Sequence, residues 1–533
     1  MILDIKPLRD QRRNCFEDIL ATLAPYYSRD YELMFAESWN FSLIPYNTNS
    51  NLLLCDRIVI KHSNMFSFLQ KYHGIMLKTY KCYSLSEVLF KINAELLTGN
   101  PTIISIPRYW CPWSPLYKKQ LDNIKHSFII IGIDKEKDSL ICTDPFYMKY
   151  KVLLPIKELQ VDYISVSTLD FLDIDVPINW QEILEQAVFQ LKSKTDYFNN
   201  SFDAIRCLGI EIAQISNLNE QIHTNAESSL EKKIYDIDYS RRNFSILLEY
   251  IGNRYNGELI PLSNIMMQVA GKWNAVYSLL LKAYYKMNNT SGKESISILK
   301  RAGSIINQIA DIEEQTSDMI LEKLHKKPTR VSHVAYNLTQ KKENVLDDNK
   351  FEFLNLSDFF NNNCFGKEAS LACTADINER GSYIISVGLP NKKIWQIDNM
   401  KFSFPEVLEG HKNNISCLRQ VIYVPYGKYS GIMILGCAVM GNQIENIEIE
   451  YDDEYTQKIS LELTDAWFPE PIFGEKIAWQ GQYVTRIHNA VEIIPHKINI
   501  YAHFHALTNA KNIVAIHLPY CPNIHIFAIS LLK

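Results

Sequence analysis

The 533-residue chain contains no run of about 18 consecutive apolar residues, so no transmembrane helix is expected. Its first residues, MILDIKPLRDQRRNCFED, lack an apolar core of signal-peptide length, which predicts a cytoplasmic protein. Basic residues are not in excess: 55 Lys and Arg face 60 Asp and Glu, a net charge of −5. A general nucleic-acid binder would show a strongly basic face, so that class is set aside. None of the 11 cysteines forms a C-x-x-C pair, which removes the usual zinc spacing. Their odd number and scatter fit reduced, mostly buried thiols. No phosphate-cradling glycine loop is present, and nucleotide-driven ligation is not expected.

What is there suits a folded, multidomain protein. Hydrophobic residues make up 47% of the chain and charged residues 22%, enough to build real cores. At roughly 100–200 residues per domain the length suggests about three domains. No internal repeat is visible.

Residues 1–175 mix helical and strand patterns. Asn14 followed by Glu17 reads as a capping box, opening a helix from Cys15 to about Ala24 with Ile19, Leu20 and Leu23 on one face. A second helix follows Ser84 and Glu87, with Leu85, Val88, Leu89 and Ile92 at helical spacing and Gly99 where a C-cap belongs. The period then changes. Pro101-Thr-Ile-Ile-Ser-Ile, Ser127-Phe-Ile-Ile-Ile-Gly-Ile and Ser139-Leu-Ile-Cys-Thr-Asp read as buried strands, the last two joined by a polar turn over 134–138. Helices followed by an antiparallel sheet give an α+β domain.

Residues 176–325 carry the 3.6 period, as in Trp180-Gln-Glu-Ile-Leu-Glu-Gln-Ala-Val and Ser295-Ile-Ser-Ile-Leu-Lys-Arg-Ala. Proline is nearly absent between Pro177 and Pro328, Pro261 excepted, so an all-α helical domain is expected. Residues 326–349 are polar and charged and read as a linker. Residues 350–533 switch to short β-patterned runs such as Ile432-Met-Ile-Leu-Gly-Cys-Ala, Ile447-Glu-Ile-Glu-Tyr451 and Ile524-His-Ile-Phe-Ala-Ile-Ser-Leu, which predict an all-β sandwich or jelly roll.

One constellation carries chemistry. Cys15 falls at the first turn of a helix, where the dipole and free N–H groups favour a negative sulfur, and Arg12 and Arg13 add positive charge beside it. Glu17 and Asp18 oppose them. His126 opens one strand and Asp144 closes the next strand of the same hairpin. A hairpin of that length can set the carboxylate against the imidazole and fix its tautomer. The first 175 residues hold three histidines, His62, His73 and His126. Cys15 is thus the candidate nucleophile, His126 the base and Asp144 its orienter.

These residues carry a resemblance. His126-Ser-Phe-Ile-Ile-Ile-Gly132-Ile-Asp with Asp144-Pro145 resembles the His…Gly…Asp-Pro segment of papain-like peptidases that process bacteriocin leaders, and the order Cys, His, Asp is theirs. The first 325 residues resemble the butirosin biosynthesis protein H family more closely. They share its early Cys and helix, the strand after Pro101, the aromatic segment Tyr109-Trp-Cys-Pro-Trp113, the His126 strand and the helical second half. The resemblance implies a papain-like fold and a thioester-dependent acyltransferase of antibiotic assembly. Such an enzyme moves an acyl or peptidyl group from the phosphopantetheine of a carrier protein, through Cys15, to an amine acceptor such as an amino sugar. No metal and no soluble cofactor is implied. The chain departs from papain-like enzymes at Arg9, six residues before Cys15, where they often carry an oxyanion Gln; the nearest is Gln11, a candidate oxyanion donor beside the Cys15 backbone N–H. Phe16 and Glu17 replace the small residues that often follow such a Cys. The C-terminal part resembles galactose-binding-like jelly rolls at Asn414–Pro425, Leu435-Gly436, Thr464–Trp467 and the final strand, mostly core and turn positions.

Other residues invite weaker assignments. Lys6, Arg9, Arg12 and Arg13 form a basic run that either steers an acidic carrier protein or is simply a solvated face. Tyr109, Trp110 and Trp113 either line an acyl or pantetheine channel or pack in the core. His503, His505, His517 and His525 lie on predicted strands without the companion spacing of a metal site. Two other functions share the same residues: a cysteine peptidase or amide hydrolase, and a non-catalytic binding protein whose site is vestigial. Neither membrane nor nucleic acid is an expected partner, and the sequence does not fix the oligomeric state.

Overall fold

The apolar run at 127–133 leaves no polar side to face water, and a strand buried on both faces is the physical outcome. A computed structural model of the chain describes residues 2–533 except 11, 47–51, 61–63, 115–116, 119–124, 160–163, 175–177, 217, 219–228, 290–292, 326–346, 379–380, 454, 469, 488–489, 495–496 and 508–510. The expected linker at 326–349 therefore lies, as far as 346, outside the described residues.

The chain forms two compact units. The first comprises 1–208, 225–270 and 307–331, the second 209–224, 271–306 and 332–533.

The sheet of the first unit is built from β1 (Ile75–Tyr80), β2 (Thr102–Pro107), β3 (Lys125–Asp134), β4 (Ser139–Asp144), β5 (Lys149–Pro155) and β6 (Ser165–Phe171). All pairings are antiparallel, in the order β1-β6-β2-β3-β4-β5. In the middle of β3, Phe128, Ile129, Ile130 and Ile131 are all fully buried. The turn between β3 and β4 is locally encoded: Asp134 Oδ1 accepts from the N–H groups of Glu136 and Lys137, both at 3.1 Å.

Helices α1 (Cys15–Tyr26), α2 (Met65–His73) and α3 (Leu85–Leu97) belong to this unit. Both predicted N-caps form. The Asn14 side chain accepts from Glu17 N–H at 2.9 Å while Glu17 Oε2 accepts from Asn14 N–H at 2.9 Å. At α3, Ser84 Oγ accepts from Glu87 N–H at 3.2 Å, and Gly99 turns left-handed with φ +83° just past the helix. The apolar face of α1 (Ile19, Leu20, Leu23, Ala24) joins Val88 and Ile92 of α3 and the β3 isoleucines in one core.

That core corrects the expected domain boundary at 175/176. Helices α4 (Trp180–Lys192), α5 (Ser201–Ala213), α6 (Leu230–Arg254), α7 (Ile260–Asn289) and α8 (Lys293–His325) are helical as the period predicts, yet they do not form a domain of their own. Leu184 and Val188 of α4, Phe244 and Leu247 of α6 and Ile320 of α8 bury their stripes in the same core as α1 and β3. The reason is physical: an apolar stripe must be covered, and α6, with every residue from Ser240 to Leu248 buried, is enclosed on all sides.

A buried ion pair ties this unit together. The carboxylate of Glu313 on α8 accepts Arg241 Nε and Nη2, each at 2.9 Å, and Trp39 Nε1 at 2.8 Å; the side chains of Arg241 and Glu313 have no solvent exposure.

In the second unit, β7 (Phe351–Phe353), β8 (Ile415–Leu418), β10 (Gly431–Ala438), β13 (Lys476–Gly481), β14 (Ile498–Ala506) and β16 (Tyr520–Leu532) form one sheet, while β9 (Val421–Lys428), β11 (Gln443–Tyr451), β12 (Thr456–Leu463) and β15 (Asn512–His517) form another. The β-sandwich expected for 350–533 is therefore present. On β10, Ile432 and Ile434 enter the core shared with Ile447 and Ile449 of β11, while Met433, Leu435 and Cys437 enter a second core with Phe365, Phe404 and Phe527. A strand apolar at every position is thus buried on both sides. On β11 the alternate Glu448 and Glu450 point away from the core, as a half-buried strand requires. Residues 271–306 of the helical stretch belong with this sandwich: Lys272 pairs with Glu462 at 2.7 Å, Arg301 with Glu445 at 3.1 Å, and Asn274 Oδ1 accepts from Asn442 N–H at 3.0 Å.

Glu313→Gln should destabilise the chain by about 3–5 kcal/mol, because it leaves Arg241 buried without its counter-charge. Urea denaturation followed by far-UV circular dichroism would check this; a loss below about 1 kcal/mol would mean the pair is dispensable.

Candidate active site

The Asn14–Glu17 cap fixes where α1 begins, and so places Cys15 at its first residue, half-buried. The backbone N–H of such a residue has no intrahelical partner and is available to a ligand. Opposite, the ladder fixes the other two candidates. Ile106 of β2 pairs with His126, and Ile129 of β3 pairs with Thr143 of β4, which brings Asp144 to the His126 end of the hairpin.

His126 Nε2 lies 2.6 Å from Asp144 Oδ2, both residues almost wholly buried. With Nε2 engaged by the carboxylate, Nδ1 is the nitrogen left for Cys15. Burial opposes a charge on His126, but the hydrogen bond and charge of Asp144, and then the hydrogen bond and charge of Cys15, outweigh it and raise the imidazole to about 9. The structure therefore brings Cys15, His126 and Asp144 together. Phe128, Phe146 and Tyr147 surround the ring, with centroids 6.0, 5.6 and 5.1 Å away.

His73 is a different kind of histidine. Its Nε2 accepts the Leu33 N–H at 3.0 Å, and burial first, with Arg254 and Arg29 nearby, pushes it down to about 3. It stays neutral and structural. His62 lies outside the described residues.

The sequence did not reveal two supports of the site. Trp113 Nε1–H donates to Asp144 Oδ2 at 2.6 Å, and Tyr147 N–H donates to Oδ1 at 3.2 Å, so three donors hold the carboxylate. Trp113, expected as a channel or core residue, packs against the core, edge-on to Phe128 at 5.1 Å, and also braces the acid. Tyr109 and Trp110 pack edge-to-face at 4.7 Å, and Trp110 lies against the core. The second support is distant: Tyr239 O–H and Asn243 Nδ2–H donate to Glu17 at 2.9 and 3.1 Å. Only the aromatic segment before β3 hinted at the first support, and nothing local signalled the second.

The basic run requires a correction. Arg9, Arg12 and Arg13 are not an open docking face, nor a solvated one. Arg9 pairs with Asp18; Arg13 Nε reaches Asp18 at 3.0 Å and its Nη1 reaches Tyr31 at 2.7 Å; Arg12 pairs with Asp10 at 2.7 Å and with Glu249. Asp18 is fully buried, and burying a carboxylate demands such partners. The charges expected to act on Cys15 act on the chain's own acids. Arg9, where papain-like enzymes often have Gln, also sits over the Phe146 ring at 4.4 Å. Gln11 lies outside the described residues.

Among the described residues, no group of three or more His, Cys, Asp or Glu side chains is arranged to hold a metal. His517 faces Glu450 at 2.7 Å, His525 faces Asn414 at 2.8 Å, and the rings of His503 and His505 lie 4.1 Å apart. Among the described residues no helix is long and apolar enough to cross a membrane.

Residues 350–533 match the family of the AziU2-like beta-sandwich domain. No curated protein matches the chain. Among solved structures, a family GH115 4-O-methyl-α-glucuronidase with specificity for decorated arabinogalactans is similar at 8% identity and a TM-score of 0.13, over 66% of this chain and 38% of that one. The chain thus spans well under half of that enzyme's length, and so low a score transfers neither fold nor function.

Asp144→Asn should keep the fold and lower the His126 pKa by more than one unit, toward the ordinary 6.5, as read by NMR of the imidazole protons. A charged His126 stabilises the folded state fully below 6.5, and that contribution fades as pH rises through about 9, so the urea midpoint of the wild type should fall across that window and change less in the variant. Glu17 provides a second pH test. Burial, offset in part by Tyr239 and Asn243, raises its carboxyl from 4.5 to about 7, so stability attributable to it falls as pH rises from 4.5 to 7. Glu17→Gln should flatten that slope by up to about 3 kcal/mol; an unchanged slope would place the titration elsewhere.

Proposed function

We propose that the chain is an acyltransferase with a papain-like site, taking an acyl or peptidyl group from a carrier-protein phosphopantetheine thioester and passing it to an amine. The observation that carries this reading is His126, held by Asp144 at 2.6 Å on one nitrogen and coupled to Cys15 on its other side. The match of 350–533 to the AziU2-like domain supports a place in specialised metabolism.

The geometry supports the following chemistry. His126 takes the Cys15 proton and is stabilised as imidazolium by Asp144. The sulfur attacks the thioester carbonyl, and the free N–H of Cys15 offers a donor to the developing oxyanion. Collapse of the tetrahedral adduct expels the pantetheine thiolate, which takes up the proton, and leaves an acyl group on Cys15. An amine then attacks this thioester, His126 accepts its proton, and the amide leaves as the Cys15 thiol is restored. The route is ping-pong and uses no metal or soluble cofactor. Trp113 and Tyr147 act as positioning residues through Asp144.

Intact mass spectrometry after incubation with simple acyl thioesters should show an acyl adduct on the wild type. The adduct should be absent in Cys15→Ala and discharged as amide on adding an amine. Asp144→Asn should slow adduct formation about 10²–10⁴-fold. Free acid as sole product, with or without amine, would make the protein a hydrolase. No adduct, together with no preferential alkylation of Cys15, would favour a vestigial site.

A further inference from the structure

The β-sandwich unit contains a cavity that the Cys15 chemistry does not use. It measures about 390 Å³, within the range of small-molecule sites. Its floor is apolar and rigid: Leu356, Phe404 and Phe527 line it and belong to the two sandwich cores. Its rim is polar and carries two cations, Lys392 and Lys412, with His411 beside them and the single acid Glu406.

Some lysines of this unit find carboxylates: Lys401 pairs with Asp348 at 2.5 Å, Lys458 with Glu448 at 3.2 Å and Lys533 with Glu352 at 3.0 Å. Those that line the cavity do not. Among the described residues the side chains of Lys392, His411 and Lys412 have no ion-pair or hydrogen-bond partner, in a chain whose net charge is −5. Lys392 is also held in the left-handed region at φ +49°, with its N–H donating to Pro405 O at 3.2 Å across the cavity wall. A non-glycine residue in that conformation persists where its surroundings require it.

We propose that this cavity binds an amphipathic anion: a carboxylate or phosphate headgroup on an aliphatic or aromatic body. The aromatic floor accepts the apolar body, and the unpaired cations at the mouth accept the headgroup. A neutral, wholly polar ligand would leave both features unused. The site is independent of Cys15 and stands whether or not the acyltransfer reading holds.

The test uses the full chain and the fluorescent anion 8-anilinonaphthalene-1-sulfonate, displaced in turn by octanoate, octyl phosphate and 1-octanol. One or both anions should displace the dye at concentrations at least about tenfold below that of the neutral alcohol, and the tighter one identifies the headgroup. The double variant Lys392→Glu/Lys412→Glu should keep the wild-type melting temperature and weaken the anions by about tenfold or more. Ser403→Trp, which fills the mouth, should weaken all three competitors while the charge stays constant. Equal displacement by 1-octanol, binding unchanged in both variants, or no saturable dye binding would overturn the proposal.

Discussion

The candidate site depends on the burial of two adjacent carboxylates. Glu17 and Asp18 are 2% and 0% exposed at the start of α1, where an acid usually faces water. Desolvating them is expensive, so the surrounding chain must supply donors, and each takes a different set. Glu17 takes the Asn14 N–H, Tyr239 and Asn243; Asp18 takes Arg9, Arg13 and the Asp10 N–H at 3.1 Å. Together these bonds fix the loop before α1 and the first turn of the helix. A helix start held in this way cannot fray, and Cys15 is its first residue. The sulfur is therefore positioned by a polar lattice behind it, and the imidazole by a sheet in front of it.

This arrangement explains why a basic run did not produce a basic face. Coulomb attraction to a buried acid a few ångströms away exceeds attraction to a distant, screened partner. Arg9 and Arg13 therefore turn inward to Asp18, while Arg12 is taken up by the partly exposed Asp10 and Glu249. The same logic bears on Arg9 at the position where a Gln was expected: a guanidinium locked to Asp18 and stacked on Phe146 cannot also serve as a mobile oxyanion donor. The Cys15 N–H, orphaned by its place at the helix start, remains.

How much of this was legible in the sequence followed the range of the interactions. The Asn14–Glu17 cap, the Ser84 cap and the 134–138 turn are encoded within four or five residues, and all three formed where the sequence put them. The His126–Asp144 pair spans 18 residues, yet it was readable because one hairpin with period-2 strands fixes its register. Trp113 could be seen as a notable aromatic but not as a donor to Asp144, because the sequence between it and the His126 strand has no regular period. The bonds from Tyr239 and Asn243 to Glu17 span 222 and 226 residues and could not be foreseen from one sequence. Nor could the sharing of the helical stretch, since an apolar stripe shows that a helix will be covered but not by what.

The second unit shows the same limit from the other side. Residues 350–533 carry the family match, but the compact unit also takes in 271–306. The reason lies in the polar edge of the sandwich. Glu445 on β11 and the N–H of Asn442 are groups that the sheets alone leave without partners; Lys282, Arg301 and Asn274 from the helices satisfy them, and Lys272 pairs with Glu462 on β12. An excised sandwich would expose Glu445, 9% exposed in its place, with neither of its cations. A unit defined by sequence similarity and a unit defined by satisfied charges thus differ by about two helices' worth of chain. The physical unit is the one in which buried Glu445 keeps its cations.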